Sequence, residues 1–294
     1  MARAGARADA LLVPEFRHKD VPLARLFARR GALVFDPLVS RHDTLVADWG
    51  LHAVGSAQAR WNRGIDRVSL ALADLVLCDT WAQGALYEAL GTPRARLRRV
   101  LVGAEDAFFE IGPAPAAGPV RILYVGGFLP LHGVPAILEA AARLERDGAA
   151  LPSWRMDLVG KGIDYERVRS LAARSRVERV NLPGALPYAE APRLLSEAHI
   201  VLGAFGAGEK AGRVVPHKVY QGLAAGRAVV TGDGAGLREV FEPGAQLVAV
   251  PRGDPAAIAG ALRELIARPE LRARLGEAAR ARAREVATPE RVGE

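Results

Sequence analysis

The sequence predicts an α/β protein made of two parallel-sheet domains facing a cleft, and three observations carry that expectation. Short apolar runs alternate with stretches of helical periodicity from one end of the chain to the other. The alternation lapses once, at residues 113–119 (PAPAAGP), where Pro, Gly and Ala leave no period of any kind. Beyond that point it restarts with longer, β-branched runs, the pattern of strands buried on both faces. A length of 294 residues accommodates two domains. The expected division is a first domain over 1–112, a linker over 113–119 and a second domain over 120–294.

In the first domain, the runs 10–13 (ALLV), 32–35 (ALVF), 75–78 (LVLC) and 99–102 (RVLV) read as strands. Residues 21–30 and 64–73 between them carry apolar side chains at three- and four-residue spacing, as one face of a helix requires. In the second, 120–125 (VRILYV) is a strand that runs into Gly126-Gly127, and a helix is expected over 134–146. The strand 154–159 ends at Gly160 and is followed by a helix over 165–174. Further strands are expected at 177–182, 200–203, 228–231 and 246–250, with helices at 189–198, 214–225 and 255–267. Ligands of such sheets sit beyond the carboxyl ends of the strands, so Gly126-Gly127, Gly160 and Ala204-Phe205-Gly206 are expected at the cleft.

Composition narrows the function. Half of the residues are apolar and a quarter charged, which excludes disorder, collagen and coiled coil as descriptions of the whole chain. No apolar run approaches the roughly 18 residues of a membrane helix, and residues 1–10 do not form a signal peptide. The single cysteine, Cys78, has no partner within the chain, which points to a reducing cytoplasm. The net charge is +7, yet of 40 Lys plus Arg only Lys19, Lys161, Lys210 and Lys218 are lysines. The arginines alternate with Glu along helices, as in Arg263-Glu264, which is the pattern of a solvated ion-paired face. No nucleic-acid partner is expected. The residual charge suits a phosphate-bearing ligand or peripheral contact with an anionic membrane surface, at the inner face of the membrane.

The densest chemistry lies in residues 206–226, GAGEKAGRVVPHKVYQGLAAG. A glycine-rich loop lets backbone N–H groups approach an anion, and Pro216 stands where a helix N-terminus would favour phosphate. Lys210, Arg213 and Lys218 add three cations to that turn, including two of the four lysines. A solvated basic loop ahead of a core helix is the plainer alternative. The six histidines are scattered without metal-ligand spacing, Cys78 and the four tryptophans read as core or interface residues, and no Walker sequence is present.

Taken in order, the strand followed by Gly126-Gly127, Asp157-Leu-Val-Gly-Lys-Gly162, Leu182-Pro-Gly-Ala-Leu-Pro-Tyr188 and Pro216-His-Lys-Val-Tyr-Gln-Gly222 resemble the C-terminal half of the group 1 retaining glycosyltransferases. The resemblance extends from residue 120 to about 284, and more loosely over 10–111. It is strongest to a subgroup with Pro-x-Lys-x-Tyr-Gln in the donor-site helix. It implies the GT-B architecture, two Rossmann-like domains with a sugar nucleotide held by the second.

By position, the resemblance places Gly126 and Gly127 under the donor diphosphate and Gly160 after the second strand. Tyr188 falls at the base pocket, and Lys218, Tyr220 and Gln221 fall on the helix that meets phosphates and ribose. Glu239 holds the acidic position late in the domain. Two departures stand out. Where many members carry two glutamates eight positions apart, this chain has Arg213 and Gln221. Where many place an Arg and a Lys after the first strand, it has Gly127 and His132, so Lys210 and Arg213 are expected to supply the missing charge.

On the acceptor side the expected catalytic residue is Asp36, with His42 and then Asp43 next; a strand-end Asp satisfied by backbone N–H groups is the equal alternative. The resemblance implies transfer of a sugar from a nucleoside-diphosphate sugar to a saccharide or lipid-linked acceptor, with no cofactor and no metal. Two rivals are a non-catalytic sugar-nucleotide-binding or assembly subunit and a GT-B sugar-nucleotide epimerase. The first domain reads as shortened, opening on what resembles a middle strand; its exposed sheet edge then invites a partner chain.

Overall fold

The computed structural model describes residues 8–28, 31–146 and 151–293. The last two residues of the expected 21–30 helix and residues 1–7 therefore lie outside the described residues. The chain forms two compact units, Met1–Leu101 and Val102–Glu294.

The first unit holds four parallel strands, β1 (Ala10–Val13), β2 (Ala32–Phe35), β3 (Leu75–Cys78) and β4 (Leu97–Arg99), in the order β1-β2-β3-β4. Alternate residues Leu33, Phe35, Val76, Cys78 and Leu97 are buried in one core with Val21, Leu70 and Tyr87 from three helices. Those helices are Val21–Phe27, Ala57–Leu72 and Trp81–Ala89. Ser56 caps the second, its Oγ accepting from Ala59 N at 3.1 Å, and starts it seven residues earlier than the apolar spacing predicts. The third was not expected, because the face it buries is Gln83, Gly84 and Tyr87 rather than an apolar stripe. Gly84 allows the contact: a Cβ there would lie 3.2 Å from Cys78 Sγ. The last strand falls at Leu97–Arg99 instead of 99–102, since Leu97, paired with Val76, is the residue that reaches the core.

The second unit is a six-stranded parallel sheet in the order β10-β9-β8-β5-β6-β7. Its strands are β5 (Val120–Val125), β6 (Trp154–Val159), β7 (Val180–Gly184), β8 (Ile200–Leu202), β9 (Ala228–Gly232) and β10 (Val248–Val250). Succession runs one way from β5 to β7 and the other way from β5 through β8 to β10, so the order reverses between β5 and β8. One core spans the sheet, from Ile122, Tyr124 and Phe128 to Val230, Ile258 and Leu262. The helices Val134–Arg146 and Pro255–Ala267 occupy their expected positions. The eighteen-residue helix Pro269–Val286 follows, burying Leu271, Leu275, Ala279 and Ala283 at four-residue spacing under an otherwise charged surface.

Residues 102–112 belong to the second unit, so the units part eleven residues before the expected linker. Two arginines hold that segment there: Arg280 Nη2 donates to Phe109 O at 2.6 Å and Arg227 Nη2 to Gly112 O at 2.8 Å. Among the described residues, no helix is long and apolar enough to cross a membrane.

Candidate functional site

The reversal of strand order in the second unit brings the loops after β5, β6 and β8 together at the carboxyl ends of neighbouring strands, the place where a doubly wound sheet opens a crevice. Gly126, directly after β5, has φ +146°, and a Cβ on it would lie 2.8 Å from Lys218 Cε and 2.9 Å from Nζ. At Gly160, after β6, φ is +145° and a Cβ would fall 1.9 Å from Gly126 O. Only glycine fits at either position. The loop after β8 is tied to the same turn, with Phe205 N donating to His132 O at 3.0 Å and Gly206 N to Leu131 O at 3.0 Å.

Lys218 stands in the first turn of the helix His217–Ala224, whose N-cap is Pro216. Its side chain is buried, 7% exposed, and reaches over the Tyr124 ring, 4.5 Å from the centroid, to donate to Tyr124 Oη at 3.3 Å. Tyr124 Oη in turn donates to Gly127 O at 2.6 Å. His132 Nδ1 lies 2.5 Å from the same carbonyl, which fixes the proton on Nδ1 because a carbonyl only accepts. Burial, with no carboxylate beside it, lowers the Lys218 ammonium from its ordinary value to about 7. Burial first, then Lys218 and Lys210, lower His132 to about 3, so its ring is a neutral brace for the turn.

Gly126, Gly127, Gly160 and Tyr188 line one cavity of about 290 Å³, together with Lys161 and Leu186. At its mouth Tyr188 Oη donates to Glu105 Oε1, and Gln221 Nε2 donates to Tyr188 Oη at 2.6 Å and lies 3.5 Å from Glu105 Oε2. His217 Nε2 is 3.2 Å from that same Oε2. Partial burial pushes the Glu105 carboxyl up, but the bonds from Tyr188 and the Glu105 backbone, with the nearby His217, hold it below its ordinary value. Glu105 was invisible to sequence reasoning: it lies 116 positions from Gln221 and before the expected linker. Lys161, given no role by sequence reasoning, also lines the cavity.

The other expected donor residues stand further back. The glycine-rich loop contains a short helix, Glu209–Arg213; Lys210 is buried on it, and Arg213 Nη1 faces Glu209 Oε2 at 3.5 Å. Tyr220 is fully buried beneath the site, its ring 5.5 Å from Phe241, and Glu239 is half-buried just after the helix Ala235–Arg238. No group of three or more His, Cys, Asp or Glu among the described residues is arranged to hold a metal ion.

In the first unit, Asp36 directly follows β2, half-buried, and accepts from Leu38 N at 3.1 Å through Oδ1; burial raises its carboxyl. His42 and Asp43 open the helical turn Asp43–Asp48. Both depend on Asp66, fully buried in the helix Ala57–Leu72. Asp66 accepts from Ser40 Oγ at 2.6 Å, Arg41 N at 2.8 Å and His42 N at 2.9 Å, with His18 Nε2 3.3 Å away. Ser40 Oγ also accepts from Asp43 N at 3.0 Å. Burial, reinforced by Arg41, lowers His18 to about 4, so it stands neutral against the carboxylate.

A glycine turn, a buried lysine across it and a reversal of strand order thus lie together beside one cavity. Residues 110–282 match the family model Glycosyl transferases group 1. The chain belongs to the group 1 glycosyltransferases. It is 28% identical over 197 residues to the putative colanic acid biosynthesis glycosyltransferase WcaL of Salmonella typhimurium, covering 65% of this chain and 46% of that protein. It is 34% identical over 190 residues to a D-inositol 3-phosphate glycosyltransferase of Geodermatophilus obscurus, covering 60% and 37%. The chain thus spans less than half the length of these relatives. Among solved structures, Anabaena Alr3699/HepE in complex with UDP superposes with a TM-score of 0.75 at 18% identity, over 99% of this chain and 78% of that one. Sucrose-phosphate synthase (tll1590) of Thermosynechococcus elongatus does so with 0.73 at 18% identity, over 97% and 71%. The expected GT-B fold class, two parallel α/β sheets, is the one found.

Proposed function

We propose that this chain is a retaining glycosyltransferase that moves a sugar from a nucleoside-diphosphate sugar to a saccharide or lipid-linked acceptor in polysaccharide biosynthesis. The observation that carries the reading is Lys218, a buried cation with no acidic counter-charge, held against a turn that only glycine can form. A diphosphate brings the opposing charge that such a lysine can meet. The relative WcaL is named for colanic acid biosynthesis, and the HepE structure holds UDP.

Each residue then has a task. Gly126 and Gly127 admit the diphosphate to backbone N–H groups, Lys218 neutralises it, and buried Lys210 adds to the positive field. Tyr188 and Leu186 face the base. Gln221 meets the ribose, and Glu105 supplies beside it the carboxylate that position 221 lacks. The sugar C1–O bond to the diphosphate breaks as a bond from the acceptor oxygen to C1 forms on the same face. The departing diphosphate takes the acceptor proton, and Asp36 orients that hydroxyl. No step calls for a metal or a cofactor.

A transfer assay with isotopically labelled donors, UDP-sugars first, tests this against candidate acceptors. The expected product keeps the anomeric configuration of the donor. Tight nucleotide binding with no transfer from any donor would instead make the chain a sugar-nucleotide-binding subunit.

A further inference from the structure

A second cavity, of about 710 Å³, opens in the same unit at the other end of the sheet. The donor-site glycines follow the carboxyl ends of β5 and β6. This cavity is lined by residues that precede strands: Pro115 ahead of β5, His199 ahead of β8 and Arg227 ahead of β9. From the helix Pro269–Val286 come Arg272, Arg280 and Arg284. Four arginines therefore meet one acidic lining residue, the exposed Glu277.

Their pairing differs from that of the salt-bridged arginines elsewhere on the unit. Arg193, Arg238 and Arg268 each face a carboxylate at 3.1 Å or less. Among the described residues, none of the four cavity arginines makes an ion pair. Arg227 is 2% exposed and spends Nε on Leu195 O and Nη2 on Gly112 O and Ser196 O, leaving Nη1 without a protein partner. Arg280 spends Nη2 on Phe109 O and Ile111 O, while its buried Nε has no partner. Arg284 makes no hydrogen bond among the described residues. The carbonyl bonds fix Arg227 and Arg280 in place, and the donors left over belong to rigid planar forks, the geometry that matches phosphate oxygens. Burial and a neighbouring arginine lower both guanidinium groups, at Arg280 against a smaller opposing pull from the Glu110 carboxylate.

We infer that this cavity is a second anion site, distinct from the donor site, that binds the phosphate or diphosphate group of a ligand through Arg227, Arg280 and Arg284. The group belongs either to a small phosphorylated molecule or to an acidic lipid headgroup, and both present the same oxygens.

Calorimetric titration of the full chain with inorganic pyrophosphate, in excess UDP to fill the donor site, tests the inference. One pyrophosphate is expected to bind per chain. Arg284→Gln, which breaks no bond within the protein, is expected to weaken it about tenfold, the loss of one charge-assisted contact. Arg280→Gln is expected to weaken it further, and Lys218→Ala to leave it unchanged. Flotation with phosphatidylcholine vesicles containing phosphatidylglycerol separates the sources. Arginine-dependent flotation assigns a headgroup; pyrophosphate binding without flotation assigns a soluble ligand. No binding, or binding that Arg284→Gln and Arg280→Gln leave untouched, overturns the site. Because the Lys218 variant reads the donor site alone, failure of one site is distinguishable from failure of the other.

Discussion

Both units of this protein bury ionisable side chains, and two of these, Asp66 and Lys218, are treated oppositely. Asp66, fully buried in the first unit, is surrounded by Ser40 Oγ, the amides of Arg41 and His42, and His18. Lys218, 7% exposed in the second, has only a tyrosine hydroxyl at 3.3 Å. A buried charge whose donors and acceptors are all supplied by the fold belongs to the fold, because removing it strands its partners. A buried charge that the fold leaves unmatched is held at a cost, and that cost is recovered only when a ligand brings the missing charge. The sheets follow the same division. The first unit's strands run in sequence order with no reversal, whereas the second reverses at β5 and β8, where Lys218 stands.

The largest expected effect tests the satisfied charge. Asp66→Ala strips partners from Ser40 Oγ and two amides and is expected to destabilise the first unit by about 3–5 kcal/mol. Urea unfolding followed by the fluorescence of Trp49 and Trp61 checks this. A loss under about 1 kcal/mol would mean that the turn at residues 40–42 holds without the carboxylate.

For the unmatched charge, Lys218→Met is expected to do the reverse: to raise the melting temperature of the ligand-free chain while weakening UDP binding by about 1.5–3 kcal/mol. Calorimetry reads the binding and a thermal melt reads the stability. Equal UDP affinity in the variant removes Lys218 from the site, and a strongly destabilised variant makes it a fold residue like Asp66.

How much of this was legible follows from where the partners lie in the chain. The strands and the glycine turns were readable because period and residue type are local properties: β1, β2, β3, β5 and β6 fall where the apolar runs put them. The helix Trp81–Ala89 was not, because Gly84 and Gln83 are buried against Cys78 and Tyr87 and leave no apolar stripe. Position 218 could be read as a cation in a basic turn, but its burial could not. That depends on Tyr124 and Gly126, more than ninety positions away. His132 was expected beside the diphosphate at a position that lacks the family's charge, and its neutrality follows from burial and the two neighbouring lysines. Glu105, Asp66 and His18 act only through contacts distant in sequence, and no spacing rule reaches them.

The Lys218 ammonium also gives the site a pH signature. Below about pH 7 it is charged in the folded and unfolded chain alike, and the burial cost is at its full value. Between about 7 and the ordinary lysine value of 10.5, the unfolded chain keeps the proton that the folded chain has shed. Stability of the ligand-free protein is therefore expected to rise with pH across that window, by up to roughly 1.4 kcal/mol per unit. Diphosphate binding restores the charge, so UDP is expected to bring up to one proton with it at pH 8 and almost none at pH 6. Calorimetry in buffers of different ionisation enthalpy measures that uptake. Uptake that persists in Lys218→Met assigns it to another group.

The smallest effect bears on a charge that lies between the two extremes. Glu105 is half-exposed, yet it gathers Tyr188, Gln221 and His217 at the mouth of the 290 Å³ cavity. If its carboxylate serves the ribose, it acts on nucleosides and not on phosphate alone. Glu105→Gln keeps the size and an accepting oxygen for Tyr188, and removes only the charge and one acceptor. UDP affinity is then expected to fall about fivefold, the scale of a single exposed hydrogen bond, while inorganic pyrophosphate affinity at the donor site stays constant. Equal losses for both ligands would place Glu105 among the groups that shape the phosphate field. No loss for either would make it a surface clasp between Tyr188 and His217, satisfied by the fold in the manner of Asp66.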